Sequence, residues 1–280
     1  MKEGEVPQSE IDPREAELAE AKRKIKSYED LMGKITSYPS GKPHDLSEFF
    51  KGKDFVFGFI TDTHIGSTKE RLADLDTAYK IMEQEGVTKV FNAGDLICGQ
   101  EVYAGQNNEI KVWGMDNQTD YLVRNYPNPK GIKTYFITGN HDLSFLKICG
   151  ADVGVAIAQQ RKDMIYLDQV EADVKLSRNV VMRLWHGDRG GAYAKSYRMQ
   201  RYITSLESGQ KPNILLSGHY HYDFYMNDRN IHCLQGGAFE HQTLWLKRAG
   251  INPSCSAWLV ECHLNDGSVN RFKPELLKFF

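Results

Sequence analysis

The stretch YFITGNHDLS, Tyr135 to Ser144, decides how the rest of the chain is read. Tyr135, Phe136 and Ile137 are aromatic or β-branched, the residue types that suit a buried strand. The chain then turns at Gly139 and presents Asn140, His141 and Asp142 in a row. Alone, this is either a polar turn capping a helix or one part of a reaction centre. The choice depends on whether other strands end the same way.

Four others do. FGFITDTH ends in Asp62 and His64, VFNAGD in Asp95, VMRLWHGD in His186 and Asp188, and ILLSGHYH in His219 and His221. Each motif is weak by itself. A Gly-Asp after a strand is usually a turn, and His-x-His places two residues on one strand face whether or not they bind anything. Together, five apolar runs that end in Asp, Asn and His are hard to explain structurally. In α/β sheets, ligands collect outside the carboxyl ends of strands, so five such ends can share one crevice.

The donor types narrow the chemistry. Asp62, His64, Asp95, Asn140, His186, His219 and His221 are more side chains than one mononuclear site needs, and they suit two divalent ions sharing a carboxylate. Imidazole, carboxylate and amide donors without thiolates favour Mn, with Fe or Zn as alternatives. Two such ions can clamp the attacking and leaving oxygens of a displacement at phosphorus.

Asp62-x-His64, Gly94-Asp95, Gly139-Asn140-His141-Asp142, His186-Gly187 and Gly218-His219-x-His221 occur in that order. In this ordered set the chain resembles the calcineurin-like metallophosphoesterases over residues 54 to 225. The resemblance implies an αββα fold: an α/β two-sheet sandwich flanked by helices. It implies that Asp62, His64, Asp95 and His221 hold one ion, and Asp95, Asn140, His186 and His219 the other, with Asp95 bridging. His141 would lie near the phosphate as the catalytic residue that protonates the leaving oxygen, with Asn140 stabilising the developing charge and a metal-bridging hydroxide as nucleophile. Asp142, Asp188 and His241 are expected to support these groups.

The sequence after Asp95, GDLICGQ, lacks the arginine that the Ser/Thr phosphatases of this superfamily carry there. GNHD with GHYH is closer to the phosphodiesterase side, which includes the SbcD-like nucleases. The expected activity is therefore phosphodiester hydrolysis, with DNA or a nucleotide as substrate. A phosphomonoesterase or cyclic-nucleotide phosphodiesterase is the alternative. A non-catalytic scaffold would be expected to have lost ligands, and none is missing. Between the last two motifs Arg189, Lys195, Arg198 and Arg201 alternate with Tyr193, Tyr197 and Tyr202. Arg189, Tyr197, Arg198 and Arg201 either grip phosphates and stack on bases or form the outer face of an amphipathic helix. The long polar connection after Asp95, which carries Tyr103 and Trp113, is expected to border the same cleft.

The wider pattern places these motifs. From residue 54 strands alternate with helices, and from about 222 short alternating segments read as antiparallel strands. Residues 51–280 are expected to form the catalytic domain. Residues 1–50 form a different segment, an N-terminal amphipathic helix and a linker. Asp12-Pro13-Arg14-Glu15 reads as a helix start. Ile11, Leu18, Ile25 and Met32 then recur every seven residues. That stripe packs on its own domain or pairs two copies in a homo-oligomer.

Composition excludes little else. A formal net charge of −2 argues against a wholly basic surface, and five cysteines without a CxxC match no metal spacing. They are expected to be reduced thiols of a cytoplasmic protein. No apolar run suggests a signal core or a membrane partner.

Overall fold

The structure is a computed structural model that describes Lys22 and residues 43–50, 54–187, 190–265 and 268–280. Chain contacts divide the molecule between Pro39 and Ser40, and the second unit is described here. The expected helix through Ile11, Leu18, Ile25 and Met32 lies outside the described residues, as do Asp188 and Arg189.

In chain order the elements are β1 (His44–Asp45), β2 (Phe55–Ile60), α1 (Leu72–Gln84), β3 (Lys89–Asn92), α2 (Met115–Asn125) and β4 (Lys133–Thr138). Next come α3 (Ser144–Cys149), α4 (Val153–Gln160), β5 (Met164–Gln169), β6 (Glu171–Lys175), β7 (Val181–Trp185) and α5 (Tyr197–Ser205). Then follow β8 (Ile214–Ser217), β9 (Phe224–Asp228), β10 (Ile231–Gln235), α6 (Leu244–Arg248), β11 (Ser256–Asn265) and β12 (Ser268–Lys278). One sheet has the order β12-β11-β2-β3-β4-β5 and the other β1-β6-β7-β8-β10-β9. This is the expected αββα sandwich.

Period-two alternation sends one side of each strand into the sandwich and the other toward a helix layer. Phe57, Phe59, Phe91, Tyr135 and Ile137 of one sheet meet Val174, Met182, Leu184, Ile214 and Leu216 of the other in a shared core. On the outer face, Ile60, Val90 and Phe136 pack under Leu75, Tyr79 and Met82 of α1, Leu122 of α2 and Ile157 of α4. Outside the second sheet, Leu215 and Cys233 lie under Met199 and Ile203 of α5.

Two details depart from a simple reading of the pattern. Residues 44–50, expected in the linker, supply a short edge strand parallel to β6 and bury Leu46 and Phe50 in the shared core. The β-rich tail feeds both sheets. β9 and β10 extend the second sheet, with β10 parallel to β8, whereas β11 and β12 extend the first. The sheets are joined directly through Val170, between β5 and β6, at φ 59°. Its N–H donates to the Thr138 carbonyl, and its own carbonyl accepts from the His186 N–H at 2.7 Å.

Candidate metal centre

β2, β3 and β4 run parallel in one sheet, and β7 and β8 run parallel in the other. Their carboxyl ends carry all five motifs to one rim. The loops are tied across the rim: the Asp62 N–H donates to the Gly94 carbonyl and the His64 N–H to the Asp95 carbonyl. The His219 N–H donates to the Asp62 carboxylate. Close approach sets the glycines. A Cβ on Gly139 would overlap Asp95 Oδ1 and stand 2.6 Å from His186 Cε1, and one on Gly94, at φ 98°, would stand 2.8 Å from His186 Nδ1.

Five of the seven expected ligands, Asp62, His64, Asp95, His219 and His221, have φ between 42° and 81°. Non-glycine residues rarely adopt this left-handed region, and such conformations persist where the surroundings hold them for a functional geometry.

The donor atoms sort into groups. Asp62, His64 and His221 form one set and Asp95, His186 and His219 another, with ligand atoms within 4.8 Å of one another in each. Asn140 Oδ1 joins the second, 3.1 Å from His186 Nε2 and 2.9 Å from His219 Nδ1. A third set joins His64 and Asp95 to His141, so Asp95 belongs to two sets and His141 lies within ligand distance.

These groups fit a cation. His186 Nδ1 lies 2.7 Å from the Ala93 carbonyl, which can only accept, so Nδ1 carries the proton. Nε2 faces Asn140 Oδ1 and Asp95 Oδ2, the latter at 3.2 Å, where a second proton or a metal ion can sit between them. His64 Nε2 and His221 Nε2 face each other at 3.0 Å, and Asp62 Oδ1 is 3.4 Å from His221 Nε2. The Nδ1 atoms of both rings are buried without a hydrogen-bond partner among the described residues. Buried acceptors aimed at one another need a positive charge between them. Protonation follows the same field. Burial opposes a charge on His186, yet the Asp95 carboxylate beside it raises its pKa to about 9. Burial likewise opposes a charge on His221, and the hydrogen bond to Asp62 raises it. Burial and the neighbouring His141 and His221 hold His64 well below the usual value.

His141 sits beside both groups. Its N–H donates to Asp95 Oδ1 at 2.8 Å, and its Nδ1 lies 2.6 Å from the Cys98 carbonyl. Its ring stands edge-on to His64 at 4.4 Å between centroids. Asp142 is buried and accepts from the N–H groups of Leu96, Ile97 and Gly139, which ties the loop after β3 to the loop after β4. Burial, helped by the charge of Asp95, raises its pKa to about 7.

The remaining candidates lie further out. Tyr197, Arg198 and Arg201 are on α5, whose Met199 and Ile203 pack with Trp185 and Tyr220, the residue between His219 and His221. Tyr197 and Arg201 are exposed, and the Arg198 guanidinium lies over the Tyr197 ring. His241 is exposed; its N–H donates to the Lys69 carbonyl. Its neighbour Glu240 is the buried acid, accepting from Ser67 Oγ at 2.6 Å, and burial raises its pKa to about 7. Sequence reasoning passed over Glu240; its place directly after the apolar QGGAF was the available signal.

The chain is similar to several known proteins. The chain is 24% identical over 277 residues to the DNA polymerase II small subunit of Methanothermobacter thermautotrophicus. That match covers 82% of this chain and 55% of the relative, so the chain spans about half the relative's length. Among solved structures, a novel archaeal phosphodiesterase matches at 14% identity with a TM-score of 0.45, over 80% of this chain and 100% of its own. The phosphoesterase Yfce from E. coli matches at 16% identity with a TM-score of 0.41, over 78% and 98%. The family model described as calcineurin-like phosphoesterase matches residues 55–248, from the first residue of β2 to the last of α6 and across every ligand cluster above, and the chain belongs to that family.

Proposed function

We propose that the protein is a dinuclear metal-dependent phosphodiesterase whose substrate is DNA or a nucleotide. The observation that carries this reading is the sorting of donor atoms into an Asp62–His64–His221 group and an Asp95–His186–His219 group, bridged by a third set that joins His64 to Asp95 and His141. Asp62, His64, Asp95 and His221 would hold one ion, and Asp95, Asn140, His186 and His219 the other, with Mn as the expected metal and Fe or Zn as alternatives. When bound, the ions supply Lewis-acid stabilisation at phosphorus and a water that ionises near neutral pH.

The chain's own groups do the rest. His141 has Nδ1 committed to the Cys98 carbonyl, which leaves Nε2 to give a proton to the leaving oxygen. Asn140 directs its amide toward the charge that develops on phosphate. Asp142 holds the Asp95 and His141 loops in register. The likeness to a DNA polymerase small subunit turns the diester reading toward DNA. Arg198, Arg201 and Tyr197 are proposed as outer contacts for such a strand, and Arg189 joins them by its place in the sequence. The N-terminal stripe is proposed to pair two copies; the mass in solution of a chain lacking residues 1–40 tests it, and an unchanged oligomer would remove that role.

The deciding experiment offers the Mn-loaded protein four substrates: mono- and bis-(nitrophenyl) phosphate, single-stranded DNA and a cyclic nucleotide. Faster hydrolysis of diester and DNA supports the reading. Turnover of the monoester alone replaces it with a phosphomonoesterase, and failure to bind Mn sinks the metal assignment.

A further inference from the structure

Beyond the two donor groups, a row of rings leads away from the rim. It runs from His64 to His141, then to Tyr103, then to Trp245, with successive centroid separations of 4.4, 6.1 and 5.2 Å. Tyr103 belongs to the long connection after β3, and Trp245 to α6, so the last two rings come from segments far apart in sequence.

Buried Glu109 fixes both. One carboxylate oxygen accepts from the Tyr103 hydroxyl and the other from the Trp245 backbone N–H at 3.2 Å. The connection that carries Tyr103 is itself pinned. Gln106 Nε2 donates to the Cys98 carbonyl at 2.9 Å. Gln118 pairs with both backbone groups of Gly99. Cys98 is also the residue whose carbonyl orients His141. One rigid connection therefore positions the proposed proton donor and the ring next to it.

The end of the row is open. Trp245 keeps 42% of its surface exposed and its neighbour Leu244 52%, although a buried carboxylate is spent on holding them in place. Lys247 and Arg248, both exposed, follow in the last turn of α6. An exposed indole on a short helix that also carries two exposed cations matches the way single-stranded nucleic acid is held, with bases stacked on aromatic faces and phosphates near basic groups.

We propose that Tyr103 and Trp245 form a stacking subsite for the nucleobase on the leaving-group side of the scissile phosphate. This rests on the phosphodiesterase reading above, because His141 defines that side. Stacking on ring faces is tolerant of base identity, so the subsite requires a base without choosing among the four.

The test separates binding from turnover. In the full-length, Zn-loaded protein, thymidine 5′-monophosphate quenches tryptophan fluorescence, deoxyribose 5-phosphate does not, and Trp245→Phe removes the quench. Equal quenching by both ligands, or an unchanged quench in Trp245→Phe, overturns the subsite whatever the protein hydrolyses. Turnover is then read with Mn on a dinucleoside phosphate and its two analogues lacking one base. In the wild type, loss of the leaving-side base lowers kcat/KM about ten-fold, the size of one lost base–aromatic stack. Trp245→Ala lowers kcat/KM for the intact dinucleotide by a similar factor and adds no loss on the leaving-side abasic analogue; Trp245→Phe keeps most of the activity. An equal loss on all three substrates marks Trp245 as packing only and overturns the proposal. Base-dependent quenching with no diester turnover retains the base-binding site and removes the phosphodiesterase reading alone.

Discussion

His141 and Asp142 are neighbours with different exposure and different partners. His141 is half-buried with one nitrogen committed to a carbonyl, whereas Asp142 is sealed off and surrounded by backbone N–H groups. His141→Ala is expected to lower kcat by about 10²–10⁴-fold, the contribution of a positioned general acid, with both ions retained. Metal analysis of the purified variant checks this, and an emptied site would make His141 a ligand. Asp142→Ala leaves three buried N–H groups without an acceptor, at about 1–3 kcal/mol for each group that finds no substitute. Denaturant unfolding of the metal-free protein should show that loss, and Asp142→Asn, which keeps an acceptor oxygen, should show less of it.

At the scale of elements, the parallel strands bring the motifs together and Val170 links the two sheets. A β-branched residue at φ 59° is unfavourable by roughly 1–2 kcal/mol. Glycine adopts that conformation freely, and Val170 is only half-buried. Val170→Gly should therefore raise or leave unchanged the thermal midpoint; a clear fall would show that its side-chain packing outweighs the backbone term. Such features explain what the sequence made legible. FGFI, VFN and YFIT are short continuous apolar runs buried on both faces, so their strands and polar ends stand out locally. The parallel pairing of β10 with β8, and the separation of the tail between two sheets, depend on long-range contacts that alternation does not encode. The region of α3, α4, β5 and β6 has weaker periodicity and does not stand out in the sequence. Tyr103 and Trp245 meet only because Glu109 reaches both, a relation no local motif carries.

For the whole molecule, among the described residues no helix is long and apolar enough to cross a membrane. Cys98, Cys233, Cys255 and Cys262 are buried free thiols, and Cys149 is exposed and free. Burial raises the thiols of Cys233, Cys255 and Cys262 to about 12, so they pack as apolar groups. Metal should matter more than thiols to stability. Ions that bind only the folded chain stabilise it by about 2.7 kcal/mol at a hundred times their dissociation constant. A chelator should lower the midpoint of thermal unfolding and Mn should restore it. An identical midpoint with and without metal would mean that the donor groups do not bind it.

The Asp62–His64–His221 and Asp95–His186–His219 groups each draw on both sheets. Asp62 and His64 follow β2 while His221 follows β8; Asp95 follows β3 while His186 and His219 follow β7 and β8. An ion bound in either group would therefore be a bolt through two plates. Sliding one plate against the other by even a fraction of a bond length would spoil both coordination shells at once. The centre is thus a gauge of how the two halves of the sandwich are aligned, and core substitutions far from the rim should register first as weakened metal retention, before the fold itself is lost.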